Sequence, residues 1–377
     1  MTESDRPDAP APVVGRQTPL TRLPQLDGLR AVAVAMVVMA HIGFLVTMPL
    51  TARKALSPVL AGDGVELFFI LSGYLITSIL LRERTRTGGI SLRRFYARRA
   101  LRIMPAFYAF LIVVAVLAAA GHAAVSKSDL ALCAVYLWDY VPRVVPWIQH
   151  CWSLAIEEQF YLLWPLTLGR LRPRTALWVA VVGIAISPFI RLATWNLHGI
   201  RSPGMSLHTR ADALLIGCAI ALLPVAYPDL YPRIREAVLR WRLDLAGTAI
   251  YVLVLPYVIS EYVDTAVPAR VSFSFGLTLE VLAGGLALFG LLERPASRLS
   301  RGLASPVPRH LGVVSYSIYL WQEPFVISSV QLPMAVRVLG LLATAEVSFW
   351  LVERPFLARK GRFASPGHPT DRVASAA

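Results

Sequence analysis

The sequence predicts an all-α integral membrane protein with about ten transmembrane helices and both termini in the cytoplasm. Three observations carry that reading. Hydrophobic residues make up 56% of the 377-residue chain and charged residues only 16%, against about 45–50% and about 25% in soluble domains. The apolar residues gather into runs long enough to cross a bilayer. The basic residues, which give a net charge of +14, sit between those runs instead of forming one polar surface. A soluble fold would leave much of this apolar surface uncovered, and a disordered chain needs low hydrophobicity. The scattered arginines also exclude a nucleic-acid partner, which would need a contiguous basic patch.

Residues 1–22, rich in Pro, Ala, Thr and Asp, read as a disordered cytoplasmic tail. The first apolar stretch runs from Leu29 to Leu50, with Arg30 at its start and His41 inside it. At about 22 residues it spans a bilayer and is too long for a signal-peptide core, so it reads as a retained helix. Further spans follow at 64–81, 101–121, 152–168, 176–195, 211–227, 243–259, 271–292, 310–330 and 334–356. The fourth and ninth are the weakest, because they carry Glu157, Glu158 and Glu323. With the N-terminus inside, the inner segments hold 28 of the 37 Lys and Arg residues, the asymmetry that the positive-inside rule requires. No fixed-period repeat is visible. The outer loop 122–151 falls short of even a small domain of about 50 residues. Residues 23–357 therefore form one membrane domain, followed by a polar cytoplasmic tail at 358–377. Cys133, Cys151 and Cys218 are widely separated, with no Cys-x-x-Cys. They read as buried free thiols, with no disulfide framework and no metal site.

Function then lies in the polar residues that a bilayer should not tolerate, since each costs at least about 2.5 kcal/mol on insertion scales. His41 lies about 16 Å along the helix from Arg30, in the outer half of the core. It reads either as a general base or as a structural bond to a neighbouring helix. Glu66, in the run from Gly64 to Ile76, either orients that histidine or faces water. Ser72 and Gly73 read as a packing notch rather than a nucleophile. Arg99 and Arg102, three apart, project on one helix face. Their forks match a phosphorylated cytoplasmic ligand or an anionic lipid.

The stretch from His150 to Pro165 is the least expected. Ser153, Glu157, Phe160, Tyr161 and Trp164 share one helix face, with Glu158 about 100° away and Gln159 and Trp152 beside them. Neutralising one buried arginine explains one acid, not both. Arg210 and Asp212 read as an interfacial anchor at the outer end of the sixth span. Ser315 to Pro324, containing Tyr319 and Trp321, is an aromatic, polar helix closed by a proline.

In this order the segments resemble the membrane-bound acyltransferase 3 family, bacterial O-acyltransferases of polysaccharides, peptidoglycan and macrolides. The matching pieces are Leu26 to Ala31 with His41, the Gly64–Ile76 run, Arg99-x-x-Arg102, Trp152 to Tyr161, Arg210-x-Asp212 with Gly217, and Ser315 to Trp321. The resemblance covers about residues 24–357. It implies acyl transfer, most simply of acetyl, from acyl-CoA to a hydroxyl of a carbohydrate or glycosylated acceptor. It implies a multi-pass protein of the bacterial cell membrane, with no permanently bound cofactor. By the same resemblance His41 is the essential histidine and Arg30 its partner in the first span, with Arg30, Arg99 and Arg102 on the CoA side. Glu66, Glu157 and Glu158 then join His41 in the catalytic set. Trp152, Ser153, Gln159, Tyr161, Arg210, Asp212, Tyr319 and Trp321 are expected at the substrate. Gln322 departs from the pattern, since many members carry a histidine there. Ending after its last span, the chain is expected to deliver the acyl group directly or to a separate protein. A macrolide acceptor is the nearer alternative. A transporter of sugar or lipid-linked precursor is the more distant one, as buried His, Glu and Arg also build transport pathways, though repeated halves are not seen.

Overall fold

The computed structural model describes residues 23–41, 63–198, 205–251, 266–326 and 332–363. The expected N-terminal tail and most of the C-terminal tail lie outside them, as do 42–50 of the first span and much of the seventh. The described residues form helices and no strand. In chain order the helices are α1 (Pro24–His41), α2 (Asp63–Thr87), α3 (Leu92–Ala119), α4 (Lys127–Ala134), α5 (Cys151–Arg170), α6 (Pro173–His198) and α7 (Leu207–Ala226). Then come α8 (Tyr231–Arg240), α9 (Leu243–Ala249), α10 (Ala266–Glu293), α11 (Arg298–Leu303), α12 (Pro306–Val313), α13 (Ser315–Trp321), α14 (Glu323–Val326), α15 (Met334–Ser348) and α16 (Arg354–Ala358).

Six helices among the described residues are long and apolar enough to cross a membrane, at 64–87, 92–119, 173–197, 207–226, 273–293 and 334–361. They coincide with the second, third, fifth, sixth, eighth and tenth of the expected spans. The fourth, α5, is a continuous helix of 20 residues whose apolar character is interrupted by Glu157, Glu158 and Gln159. The ninth is broken. It is built from α12, α13 and α14, with Val314 between the first two and Gln322, whose own dihedrals stay helical, between the last two. Such breaks survive at membrane depth only where protein or a cavity surrounds them, and α13 faces a cavity described below.

Close helix contact is set by small residues. Gly73 on α2 lies against the Leu214 carbonyl of α7, and Gly217 on α7 lies reciprocally against that of Ile70. A Cβ at either position would strike backbone. Gly28 against Leu303 and Gly312 against Asp27 bring α1, α11 and α12 together in the same way. The notch expected at Ser72–Gly73 is therefore real, with glycine making it. Outside the bundle, α4 is held by a reciprocal cap, Ser126 and Asp129 each accepting from the other's backbone N–H at 3.2 and 3.1 Å. Burial would raise the Asp129 pKa, but hydrogen bonding from Arg143 overrides it and holds the carboxyl below its usual value. Cys133, Cys151 and Cys218 are buried free thiols.

Candidate active site

Two adjoining cavities open inside the bundle. The first, of about 320 Å³, lies among α1, α2, α3, α5, α13 and the end of α15. The second, of about 230 Å³, lies among α1, α2, α3 and Tyr161 of α5. Asp27, Arg30, Ser72, Arg99 and Arg102 line both, so they form the junction.

Arg99 organises that junction. Its Nη2 is 3.9 Å from Oε2 of Glu157 and its Nε 3.4 Å from Oε1 of Glu158. Its guanidinium carbon lies 3.6 Å from the Tyr161 ring centroid, within cation–π range. The adjacent acids thus serve one arginine from two directions, and they divide the work. Glu157 lines the first cavity and accepts from the Ser72 hydroxyl at 2.6 Å, whereas Glu158 stands behind Arg99. Trp164 on the same face donates to the Thr77 hydroxyl at 2.8 Å and stacks on Phe160.

The wall opposite is built from hydroxyls. The Ser153 and Tyr319 oxygens are 2.5 Å apart, and each reaches the His150 carbonyl, at 3.1 and 3.2 Å. Tyr316 donates to the Ile103 carbonyl at 3.0 Å. Glu353 closes the wall, accepting from the Ser317 hydroxyl. It sits at the end of a π-helical turn, Phe349–Glu353. Single π turns of this kind recur at functional sites because they rotate one side chain out of register.

A third set lies beyond the Val65 end of the first cavity. Buried Glu66 pairs with Arg210, whose guanidinium faces the Trp152 ring at 5.9 Å. Trp152 in turn meets Phe69 edge-on. Gly64, two residues before Glu66, packs on Ala33 and Val37 of α1. His41 is one turn past Val37. It is exposed, and its Nδ1 is 2.7 Å from the Val37 carbonyl oxygen. A carbonyl only accepts, so Nδ1 carries a proton, and it is Nε2 that has the lone pair in the neutral ring.

A family model described as an acyltransferase domain matches residues 23–336. The chain belongs to the acyltransferase 3 family. The curated relatives it resembles include the peptidoglycan O-acetyltransferase OatA of Listeria monocytogenes, 31% identical over 90% of this chain and 56% of that protein. A putative O-acetyltransferase of Staphylococcus aureus strain COL is 29% identical, over 89% of this chain and 57% of that protein. The O-acetyltransferase OatA of Staphylococcus aureus strain NCTC 8325 is 28% identical over 90% and 58%. The chain thus spans just over half the length of these relatives. No solved structure matches.

Of the residues expected from the family motifs, the cavities gather Arg30, Arg99, Arg102, Ser153, Glu157, Tyr161 and Tyr319. Glu66 and Arg210 are joined to each other at the Val65 end of the first cavity, with Trp152 beside them. His41 shares that end and lines neither cavity. Gln159 turns outward, donating to the Tyr136 carbonyl and to Asp139 Oδ1, both at 2.8 Å. Asp212 pairs with fully buried Arg191 at 2.9 Å and accepts from Thr278 at 2.7 Å. That network joins α6, α7 and α10, and the expected anchor between Arg210 and Asp212 is replaced by two separate pairs. The Trp321 ring packs edge-on against Phe110.

Arg82 and Glu353 line the cavities without having been singled out, and Asp27, Ser72, Ser315 and Tyr316, which lie within the matching motifs, line them without having been given a place in the site. Glu353 had a signal, as one of two acids in a mostly apolar final span. His150 also went unremarked. It is buried, with Nδ1 3.5 Å from Oε1 of Glu323.

Proposed function

We propose that the chain is an O-acyltransferase of the bacterial cell membrane, carrying an acetyl group from acetyl-CoA to a hydroxyl of a cell-wall carbohydrate. The observation that carries this reading is the arginine junction between the two cavities, Arg30, Arg99 and Arg102, with a wall of hydroxyls on one side of it. Arginine forks suit phosphate, and hydroxyls with paired acids suit an uncharged reacting end. The names of the Listeria and Staphylococcus relatives support O-acetylation, and that of the former supports peptidoglycan as the acceptor class.

On this reading the acyl end of the donor lies in the first cavity and the acceptor arrives from the His41 end. Nε2 of His41 takes the proton of the acceptor hydroxyl as its oxygen attacks the thioester carbonyl. The carbon–sulfur bond breaks, and the departing thiolate takes up a proton, so that an ester and free CoA result. Glu157 and Glu158 keep Arg99 in place, Glu66 keeps Arg210, and one hydroxyl of the Ser153–Tyr319 pair turns from the His150 carbonyl to donate to the developing oxyanion.

The test is acetyl transfer from radiolabelled acetyl-CoA to a peptidoglycan fragment by the purified, membrane-reconstituted chain. Wild type is expected to label the fragment and His41→Ala to fail. Equal labelling by both removes His41 from the mechanism, and no labelling by wild type removes this donor–acceptor pair.

A further inference from the structure

The two cavities share five residues and differ in charge. Around the first, Arg30, Arg99 and Arg102 face Asp27, Glu157 and Glu353, so cations and anions balance. Around the second, the same three arginines are joined by Arg82, and Asp27 is the single acid among the described residues of its lining. The lining of the second cavity thus carries three more basic than acidic residues, because the acids that pair with Arg99, Glu157 and Glu158, lie outside it.

The two cavities also follow one line. Their α2 residues run from Val65 through Ser72 to Arg82, about 25 Å at 1.5 Å per residue. Neutral reacting groups lie toward one end and excess cation toward the other. A matching ligand is elongated, uncharged where it reacts and polyanionic where it ends, with negative charge at two separated places. One faces the three junction arginines. The other faces Arg82, ten residues along α2 from Ser72.

We infer that the second cavity seats the phosphates of the donor, and that Arg82 is a specificity residue for the phosphate farthest from the acyl group. This rests on the acyl-CoA reading above. Coenzyme A has that charge pattern, a diphosphate in mid-chain and a separate 3′-phosphate on its terminal ribose. The junction arginines take the diphosphate and Arg82 the 3′-phosphate. Dephospho-CoA, identical except for that group, is the matched probe.

The experiment is equilibrium binding of CoA and of 3′-dephospho-CoA to the full chain in detergent, with a melting curve for each variant. Wild type is expected to prefer CoA by about tenfold or more, as a charge-assisted contact worth ~1.5–3 kcal/mol predicts. Arg82→Gln should bring CoA affinity down to that of dephospho-CoA and leave the latter unchanged, while Arg82→Lys keeps part of the preference. Arg86→Gln, one turn on and exposed, should change neither. If wild type binds both probes equally, or Arg82→Gln weakens both alike, the assignment of Arg82 is wrong. If the CoA preference survives in a folded Arg82→Gln variant, Arg82 serves another anion, such as a lipid headgroup, and the assignment again falls. If wild type binds neither probe, the donor reading itself fails, a result distinct from all of these.

Discussion

The first cavity sets three arginines against three acids in its lining, and the second carries one more arginine and two fewer acids. Paired charges in low dielectric hold each other in fixed geometry but leave little net field. Unbalanced ones attract a counter-charge at the cost of repelling each other when empty. A single row of arginines thus serves two purposes, positioning on one side and attraction on the other. What decides the purpose is the placement of acids. Glu157 and Glu353 border only the first cavity.

Substitutions can separate the two regions. The largest effect on turnover is expected at His41, where Ala should lower transfer by about 10²–10⁴-fold, the usual worth of a general base. Affinity for CoA should be unchanged, because His41 lines neither cavity, and a parallel loss of CoA binding would place the histidine on the donor instead. Next is Arg99→Ala, which strikes both regions at once. It strands Glu157 and Glu158 and should cost about 3–5 kcal/mol of stability, as breaking a buried ion pair does. A fall in melting temperature and in CoA affinity together checks it. Arg99→Lys should rescue stability in part, since a single ammonium cannot reach both acids and cover Tyr161 as the planar fork does. A smaller effect belongs to Tyr319→Phe, which removes one hydroxyl from the first cavity. Turnover should fall up to about tenfold, the scale of one net hydrogen bond of 0.5–1.5 kcal/mol, with CoA affinity intact. Reduced CoA binding in that variant would merge the two regions into one.

The division of the chain into apolar runs and basic loops was legible because it follows from local composition alone. Six of the spans reappear as long apolar helices, and the junction arginines were visible as Arg30 and Arg99-x-x-Arg102. What stayed hidden depends on partners distant in sequence. Periodicity put Glu157 and Glu158 on different faces, but only the position of Arg99, on a helix 58 residues earlier, makes that difference meaningful. Asp212 looked tied to Arg210 because they are close in sequence, whereas its partner Arg191 comes from the preceding helix. The ninth span read as one helix because Pro324 comes near its end. Its interruption at Gln322 is tolerated because the surrounding bundle buries it. Glu353 was visible as an acid in the last span, but the π-helical turn that aims it at the cavity leaves no simple mark in sequence.

The smallest expected effect tests a residue outside both cavities. Asp139, between α4 and α5, is 4% exposed and accepts from Gln159 at 2.8 Å and from the Leu207 backbone at 3.4 Å. Burial pushes its carboxyl up from 3.8 to about 6, against the pull of those donors. The fold therefore holds this proton more tightly than the unfolded chain does. Stability is then fullest below 3.8 and declines as pH rises from there to about 6, after which the loss is complete. Asp139→Asn keeps an oxygen for Gln159, gives up the longer bond from Leu207 and removes the titration. Melting curves of the two proteins should diverge with rising pH, the variant gaining on wild type up to about pH 6 and holding a constant lead beyond. Parallel curves across that range would mean that the carboxyl titrates alike folded and unfolded. Affinity for CoA should be the same in both, because the charge that separates the two cavities comes from α1, α2, α3, α5 and the π-helical turn, and Asp139 contributes to neither.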